Sequence, residues 1–166
     1  MSKITVIIPT QNNRISLNRA VKSVINQSFI DWELYIVNDS SSNIPQFNDD
    51  RVKCIQNEYL KGANGSRNSG IKLALGDYIA FLDDDDEWLP EKLSIQFNQM
   101  EKEQSILSFT GKNIFINTNL QKYSFRNSYT WMLFFYNFVG STSSIMVSAD
   151  ILKSVDGFDV LLQQLQ

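Results

Sequence analysis

Two periods alternate along the chain. Ile4-Thr5-Val6-Ile7-Ile8 is a β-branched run closed by Pro9, the pattern of a strand buried on both faces. Leu17, Ala20, Val21, Val24 and Ile25 recur at helical spacing behind Ser16, which is placed to cap a helix lying on a sheet. Glu33 to Val37 predicts a second strand, running into the turn-forming stretch Asn38-Asp39-Ser40-Ser41-Ser42-Asn43. A short third strand is expected at Arg51 to Ile55. A helix follows from about Ser66 to Leu75, with Asn64 as its cap and Gly76 as a left-handed stop. Tyr78 to Leu82 predicts the fourth strand, and Pro90 opens a helix with Leu89, Leu93, Phe97 and Met100 on one face. Beyond Ser105 the pattern is weaker. Ile106 to Phe109 and Ser144 to Val147 read as strands, Asn127 to Phe138 as an aromatic-rich helical segment, and Ala149 to Val155 as a short helix.

This alternation predicts an α/β chain with a mostly parallel central sheet flanked by helices. No internal repeat or linker divides the 166 residues, so a single domain is expected over 1–166. In open parallel sheets, ligands bind beyond the carboxyl ends of the strands. Three polar clusters directly follow predicted strands: Pro9-Thr10-Gln11-Asn12-Asn13, Asn38-Asp39-Ser40 and Asp83-Asp84-Asp85-Asp86. Parallel strands place all three on one edge, with amides and hydroxyls suited to a base and ribose and carboxylates suited to a cation.

The acidic run is the sharpest of the three. Two unit charges about 4 Å apart repel by roughly 4 kcal/mol at an effective dielectric near 20. Four carboxylates in a row therefore need open water, donors or a cation. An isolated run of this kind reads as a solvated turn. At a strand end beside two other polar loops it reads as a site for Mg²⁺ or Mn²⁺, hard ions that take carboxylate and phosphate oxygens.

Composition narrows the chemistry. The net charge of −3 gives no basic footprint for nucleic acid. Histidine is absent, which removes Ser/His and Cys/His nucleophile systems and His-ligated zinc. The one cysteine, Cys54, excludes an intrachain disulfide and reads as a strand packing residue. No glycine-rich dinucleotide fingerprint follows the first strand and no Walker loop is present, which argues against an ordinary NAD or ATP site. The first residues enter a strand without a signal peptide, and no apolar run approaches the ~20 residues that span a bilayer. A cytoplasmic protein is expected.

Taken together, Val6-Ile7-Ile8-Pro9-Thr10-Gln11-Asn12, Val37-Asn38-Asp39-Ser40-Ser41, Gly65-Ser66-Arg67-Asn68-Ser69-Gly70, Gly76-Asp77-Tyr78-Ile79-Ala80-Phe81-Leu82-Asp83-Asp84-Asp85-Asp86 and Leu89-Pro90-Glu91-Lys92-Leu93 resemble family-2 glycosyltransferases of the GT-A fold. Gly157-Phe158-Asp159 is a weaker match downstream. The resemblance implies a Rossmann-like nucleotide-diphospho-sugar transferase fold, with a nucleotide-sugar-binding half at 1–104 and a partial acceptor-side half at 105–166. It implies inverting, metal-dependent transfer from a nucleoside-diphosphate sugar, UDP before GDP or TDP, to a hydroxyl of a glycan or lipid-linked glycan. Peripheral membrane contact accompanies such an acceptor.

Position by position, the resemblance puts Pro9, Thr10, Gln11 and Asn12 in the nucleotide pocket and Asp39 on the base. It puts Arg67 near the nucleotide, where the residue type alone also fits a surface ion pair. Asp83 and Asp85 make the D-x-D pair, with Asp85 on Mn²⁺ or Mg²⁺, Asp83 shared between metal and ribose, and Asp84 beside the ribose. Asp86 and Trp88 are expected to shape the loop. Gln11 stands where the family frequently has an aromatic, and Asn38 where it frequently has Asp. The family's general base follows the Gly-Phe-Asp region, so it is expected beyond Gln166. Glu101, Glu103, Asp150, Asp156 and Asp159 do not match that position. The alternative carried with this reading is a non-catalytic nucleotide-sugar-binding or assembly module.

Overall fold

A computed structural model describes residues 2–11, 15–116, 119–123 and 141–161. Asn12 and the aromatic segment Asn127 to Phe138 lie outside the described residues. The elements run β1 (Ile4–Thr10), α1 (Ile15–Ile25), β2 (Trp32–Asn38), β3 (Val52–Gln56), α2 (Ala63–Leu73), β4 (Tyr78–Phe81), α3 (Lys92–Glu103), β5 (Leu107–Phe109), β6 (Lys112–Ile116), β7 (Asn119–Tyr123), β8 (Ile145–Ser148) and α4 (Ala149–Ser154), with a 3-10 turn at Thr142–Ser144 before β8.

The main sheet has the order β3-β2-β1-β4-β8-β5. Its first four strands are parallel, with Ile4 opposite Trp32 and Tyr78, and Thr10 opposite Asn38. β8 runs antiparallel to both β4 and β5. An apolar strand looks the same in either direction, which is why the pattern located β8 but not its reversal. A separate antiparallel hairpin, β6–β7, has no counterpart in the sequence expectations.

The period of two assigns the core. Val6, Ile8, Leu34, Ile36, Ala80 and Leu82 pack on one face with Leu17, Val21 and Val24 of α1 and Leu93 and Met100 of α3. Ile7, Tyr35, Val37, Ile79 and Phe81 pack on the other with Ile71 of α2 and Ala149 of α4. β1 lies between β2 and β4, and all seven of its residues are buried. A rigid central strand thus carries Thr10 to the sheet edge.

Several local expectations shift. α1 starts at Ile15, so Ser16 lies in its first turn rather than capping it. α2 starts at Ala63, ahead of Asn64, with Gly62 (φ 126°) at its cap. It ends at Leu73, and Gly76 is not left-handed. Glycine is required at 76 for another reason: a Cβ there would lie 2.6 Å from Thr5 N and 2.8 Å from Ile4 C, inside van der Waals contact with β1. Leu89 precedes α3 and is exposed, while Leu93 and Met100 are buried as expected. Cys54 sits on the edge strand β3 with an exposed side chain, not as a packing residue.

Candidate active site

The three polar clusters converge. A cleft of about 290 Å³ is lined by Pro9, Thr10, Gln11, Asp39, Gly62, Ala63, Ser66, Arg67, Asp83, Asp84 and Asp85. It opens where β1, β2 and β4 end, and the amino end of α2 forms a fourth wall. Every sequence-proposed site residue among the described residues is in this lining.

At the β1–β2 corner, Asp39 N donates to the Thr10 carbonyl at 2.8 Å, extending the strand pairing by one bond. The Asp39 carboxylate receives Asn57 Nδ2 at 2.6 Å and the Gly62 amide at 2.7 Å, with Gln11 Nε2 at 3.5 Å. A carboxylate offers about four acceptor positions, so it keeps capacity for a ligand donor. Asn38 points elsewhere: its amide donates to the Ser42 carbonyl at 2.6 Å and its oxygen receives the Ser40 amide and hydroxyl. An aspartate could not make the first bond. At position 38 the amide therefore shapes the loop and is absent from the cleft lining.

Below β4 the acidic run is a tight turn, closed by Asp86 N donating to the Asp83 carbonyl at 3.1 Å. The four carboxylates have separate fates. Asp83 receives Arg67 at 2.7 Å and the Thr142 hydroxyl at 3.0 Å. Asp84 receives the Thr10 hydroxyl at 2.6 Å. Asp86 receives the Ser141 hydroxyl at 3.2 Å. Asp85 is exposed in the cleft and has no hydrogen-bond partner among the described residues.

Arg67 is buried on α2 and is no surface ion-pair residue. Its guanidinium also receives support from Asn64 Oδ1 at 3.1 Å and lies 5.5 Å from the Phe158 ring centroid. Phe158 is itself fixed by Asn68, whose amide donates to the Phe158 carbonyl and accepts its N–H, both at 2.8 Å. Gly157 must be glycine for this: it has φ 76°, and a Cβ would lie 2.5 Å from Asn68 Oδ1. Two buried donors of the lining residues, Ser66 Oγ and Arg67 Nε, have no partner among the described residues. Trp88 is held by its backbone N–H to Ser23 Oγ and its indole N–H to the Ser143 carbonyl, so it braces the loop from behind.

Sequence reasoning missed Asn57, Gly62, Ser66 and the hydroxyls of Ser141, Thr142 and Ser143. The run Ser141-Thr142-Ser143-Ser144 before an apolar strand was the visible signal for the last group.

For a divalent cation the donor set is hard oxygen. No three carboxylates converge into a cation cage among the described residues. Mg²⁺ is commonly held by one or two carboxylates plus phosphate oxygens, and Asp85 meets that smaller requirement. Asp83 meets it less well, since Arg67 and Thr142 already engage it.

A model of the family described as glycosyl transferase family 2 matches residues 5–151. The chain is 38% identical over 121 residues to the Escherichia coli UDP-Glc:alpha-D-GlcNAc-diphosphoundecaprenol beta-1,3-glucosyltransferase WfgD, covering 70% of this chain and 47% of that protein. It is 42% identical over 102 residues to a GalNAc(5)-diNAcBac-PP-undecaprenol beta-1,3-glucosyltransferase of Campylobacter jejuni, covering 57% of this chain and 33% of that one. Among solved structures, S. aureus TarS 1-349 in complex with UDP matches with a TM-score of 0.72 at 21% identity, covering 97% of this chain and 51% of that one. The fold is thus that of GT-A glycosyltransferases, and the chain spans about half or less of the length of these relatives.

Proposed function

The chain belongs to glycosyl transferase family 2, and on that premise we propose that its cleft binds a nucleoside-diphosphate sugar, UDP-linked, for inverting transfer to a hydroxyl of a lipid-linked glycan. The observation that carries this is the convergence of Thr10, Asp39, Arg67 and Asp83 to Asp85 in one cleft. The names of the two bacterial relatives, one for a UDP-Glc donor and both for undecaprenol-linked acceptors, support the donor and acceptor classes.

Asp39 accepts the N–H of the base, held in place by Asn57 and Gly62. Asp83 and Asp84 accept ribose hydroxyls. Asp85 would hold Mn²⁺ or Mg²⁺, and such an ion would supply positive charge against the departing diphosphate. The acceptor hydroxyl attacks the anomeric carbon from the face opposite the diphosphate and loses its proton to a carboxylate. None of Glu101, Glu103, Asp150, Asp156 and Asp159 lines the cleft. We expect that base on a segment following Gly157–Asp159.

No described helix is long and apolar enough to cross a membrane. Cytoplasmic placement, with peripheral contact to the lipid bearing the acceptor, completes the proposal.

Calorimetry with UDP, with and without Mn²⁺, tests the pocket, and hydrolysis or transfer of UDP-Glc tests the chemistry. Metal-enhanced UDP binding is expected. Absence of UDP binding in both conditions overturns the reading, and binding without turnover converts it to that of a nucleotide-sugar-binding module.

A further inference from the structure

We propose that Thr142 is a positioning residue of the donor site: with Ser141 and Ser143 it pins both ends of the acidic turn, so that Asp85 alone stands open to a cation. The inference rests on the donor-binding reading above and adds to it the element that sorts four adjacent carboxylates into different jobs.

The turn Asp83–Asp86 has Asp84 and Asp85 at its corners. Its ends are gripped by three consecutive residues about sixty positions downstream. Asp83 N donates to Ser143 Oγ at 3.0 Å, Thr142 Oγ1 lies 3.0 and 3.1 Å from the two Asp83 carboxylate oxygens, and Ser141 Oγ lies 3.2 Å from Asp86 Oδ2. The Ser143 carbonyl then accepts the Trp88 indole N–H at 2.8 Å, fixing the exit of the loop.

The grip is itself rigid. Ser144 N donates to the Ser141 carbonyl at 3.0 Å, Ser143 N donates to Ser141 Oγ at 3.2 Å, and the next residue begins β8, paired on both sides within the sheet. Thr142 completes a closed ring of bonds. Arg67 donates to its oxygen at 3.0 Å and to Asp83 at 2.7 Å, while the Thr142 hydroxyl has its own proton for Asp83.

Charge makes the arrangement consequential. Four carboxylates in one turn repel. Arg67 offsets Asp83, and hydroxyl donors from Thr10 and Ser141 stabilise Asp84 and Asp86. Removing the Thr142 hydroxyl leaves the Asp83 carboxylate held chiefly by Arg67 and the end of the turn with fewer bonds.

Two substitutions in the full chain separate the hydroxyl from the methyl. Thr142→Val keeps the shape and loses the bond, and Thr142→Ser keeps the bond. In the free chain, hydrogen exchange at the Asp83 and Asp86 amides is expected to quicken by about fivefold or more in Thr142→Val and to stay within about twofold of wild type in Thr142→Ser. At saturating UDP, Mn²⁺ affinity is expected to fall about tenfold in Thr142→Val and recover in Thr142→Ser, and metal-free UDP affinity is expected to fall by a smaller factor in Thr142→Val, because Asp83 is held less firmly for the ribose. Unaltered exchange in Thr142→Val, or Thr142→Ser failing as Thr142→Val does, overturns the positioning role. A wild-type chain that binds no UDP overturns the donor reading instead, and the exchange measurement still decides the role of Thr142.

Discussion

The two ends of the parallel sheet carry the same kinds of side chain and dispose of them differently. At the amino end, Glu33 is buried at 4% exposure with both oxygens engaged: Thr5 Oγ1 and the Leu75 amide each donate to one at 2.9 Å, and Lys53 Nζ reaches the other at 3.2 Å. Thr5 in turn accepts the Gly76 amide at 2.9 Å, and Lys3 pairs with Asp77 at 2.8 Å. At the carboxyl end, Asp85 lacks a partner among the described residues, and Ser66 Oγ and Arg67 Nε are buried donors with none. Both ends hold carboxylates, hydroxyls and a cation. Each end leaves a buried donor over among the described residues, Trp32 Nε1 at the amino end, but only at the carboxyl end do the residues that carry such groups line the cleft. Unmet bonding capacity gathered in a cleft, rather than residue type, separates a site from a joint.

The same truncation at each end tests that contrast. Glu33→Ala is expected to cost about 3 kcal/mol, since it leaves the Leu75 amide and Lys53 without their acceptor and opens a cavity. Urea unfolding reads the loss, and UDP affinity of the folded fraction is expected to stay at wild type. Asp85→Ala is expected to do the reverse. Mn²⁺-dependent UDP binding falls by about 100-fold, equivalent to about 2.7 kcal/mol, with a thermal midpoint no lower than wild type because an exposed, unpartnered carboxylate stabilises nothing. If Glu33→Ala weakened UDP binding as strongly, or if Asp85→Ala unfolded the chain, the distinction between the ends would fail.

Most of the carboxyl-end site is legible in the sequence because it is made of local signals. β-branched runs announce β1, β2 and β4, and the residues following each run are the cleft lining, so Thr10, Asp39 and Asp83 to Asp85 follow from strand ends alone. What the sequence withholds is pairing at long range. Thr142 and Asp83 are 59 positions apart, and a hydroxyl in a polar turn carries no mark of the carboxylate it will meet. The direction of β8 is hidden for a similar reason, since burial on both faces erases orientation. Gly76 shows a third limit: a glycine after a helix suggests a left-handed cap, while the actual constraint is the backbone of β1 lying against it.

The smallest expected effect lies at the amino end, where Tyr78 begins β4. Its phenol donates to Glu101 Oε1 at 2.7 Å, and this bond, reinforced by burial and the nearby negative charges of Glu101 and Asp77, holds the phenol pKa up to about 12. Deprotonation would break the bond and set a phenolate against a carboxylate. An unfolded tyrosine has a pKa near 10. The folded value is the higher one, so the contribution to stability is complete below about pH 10 and disappears as pH rises toward 12. The thermal midpoint of the wild-type chain should therefore fall more steeply across that window than that of Tyr78→Phe, which has no phenol to titrate. Glu101→Gln should give an intermediate slope, because an amide oxygen still accepts the bond while the repelling charge is gone. Superimposable curves for wild type and Tyr78→Phe would mean that the amino end of the sheet is less completely joined than its hydrogen bonds indicate, and the contrast between the two ends would rest on Glu33 alone.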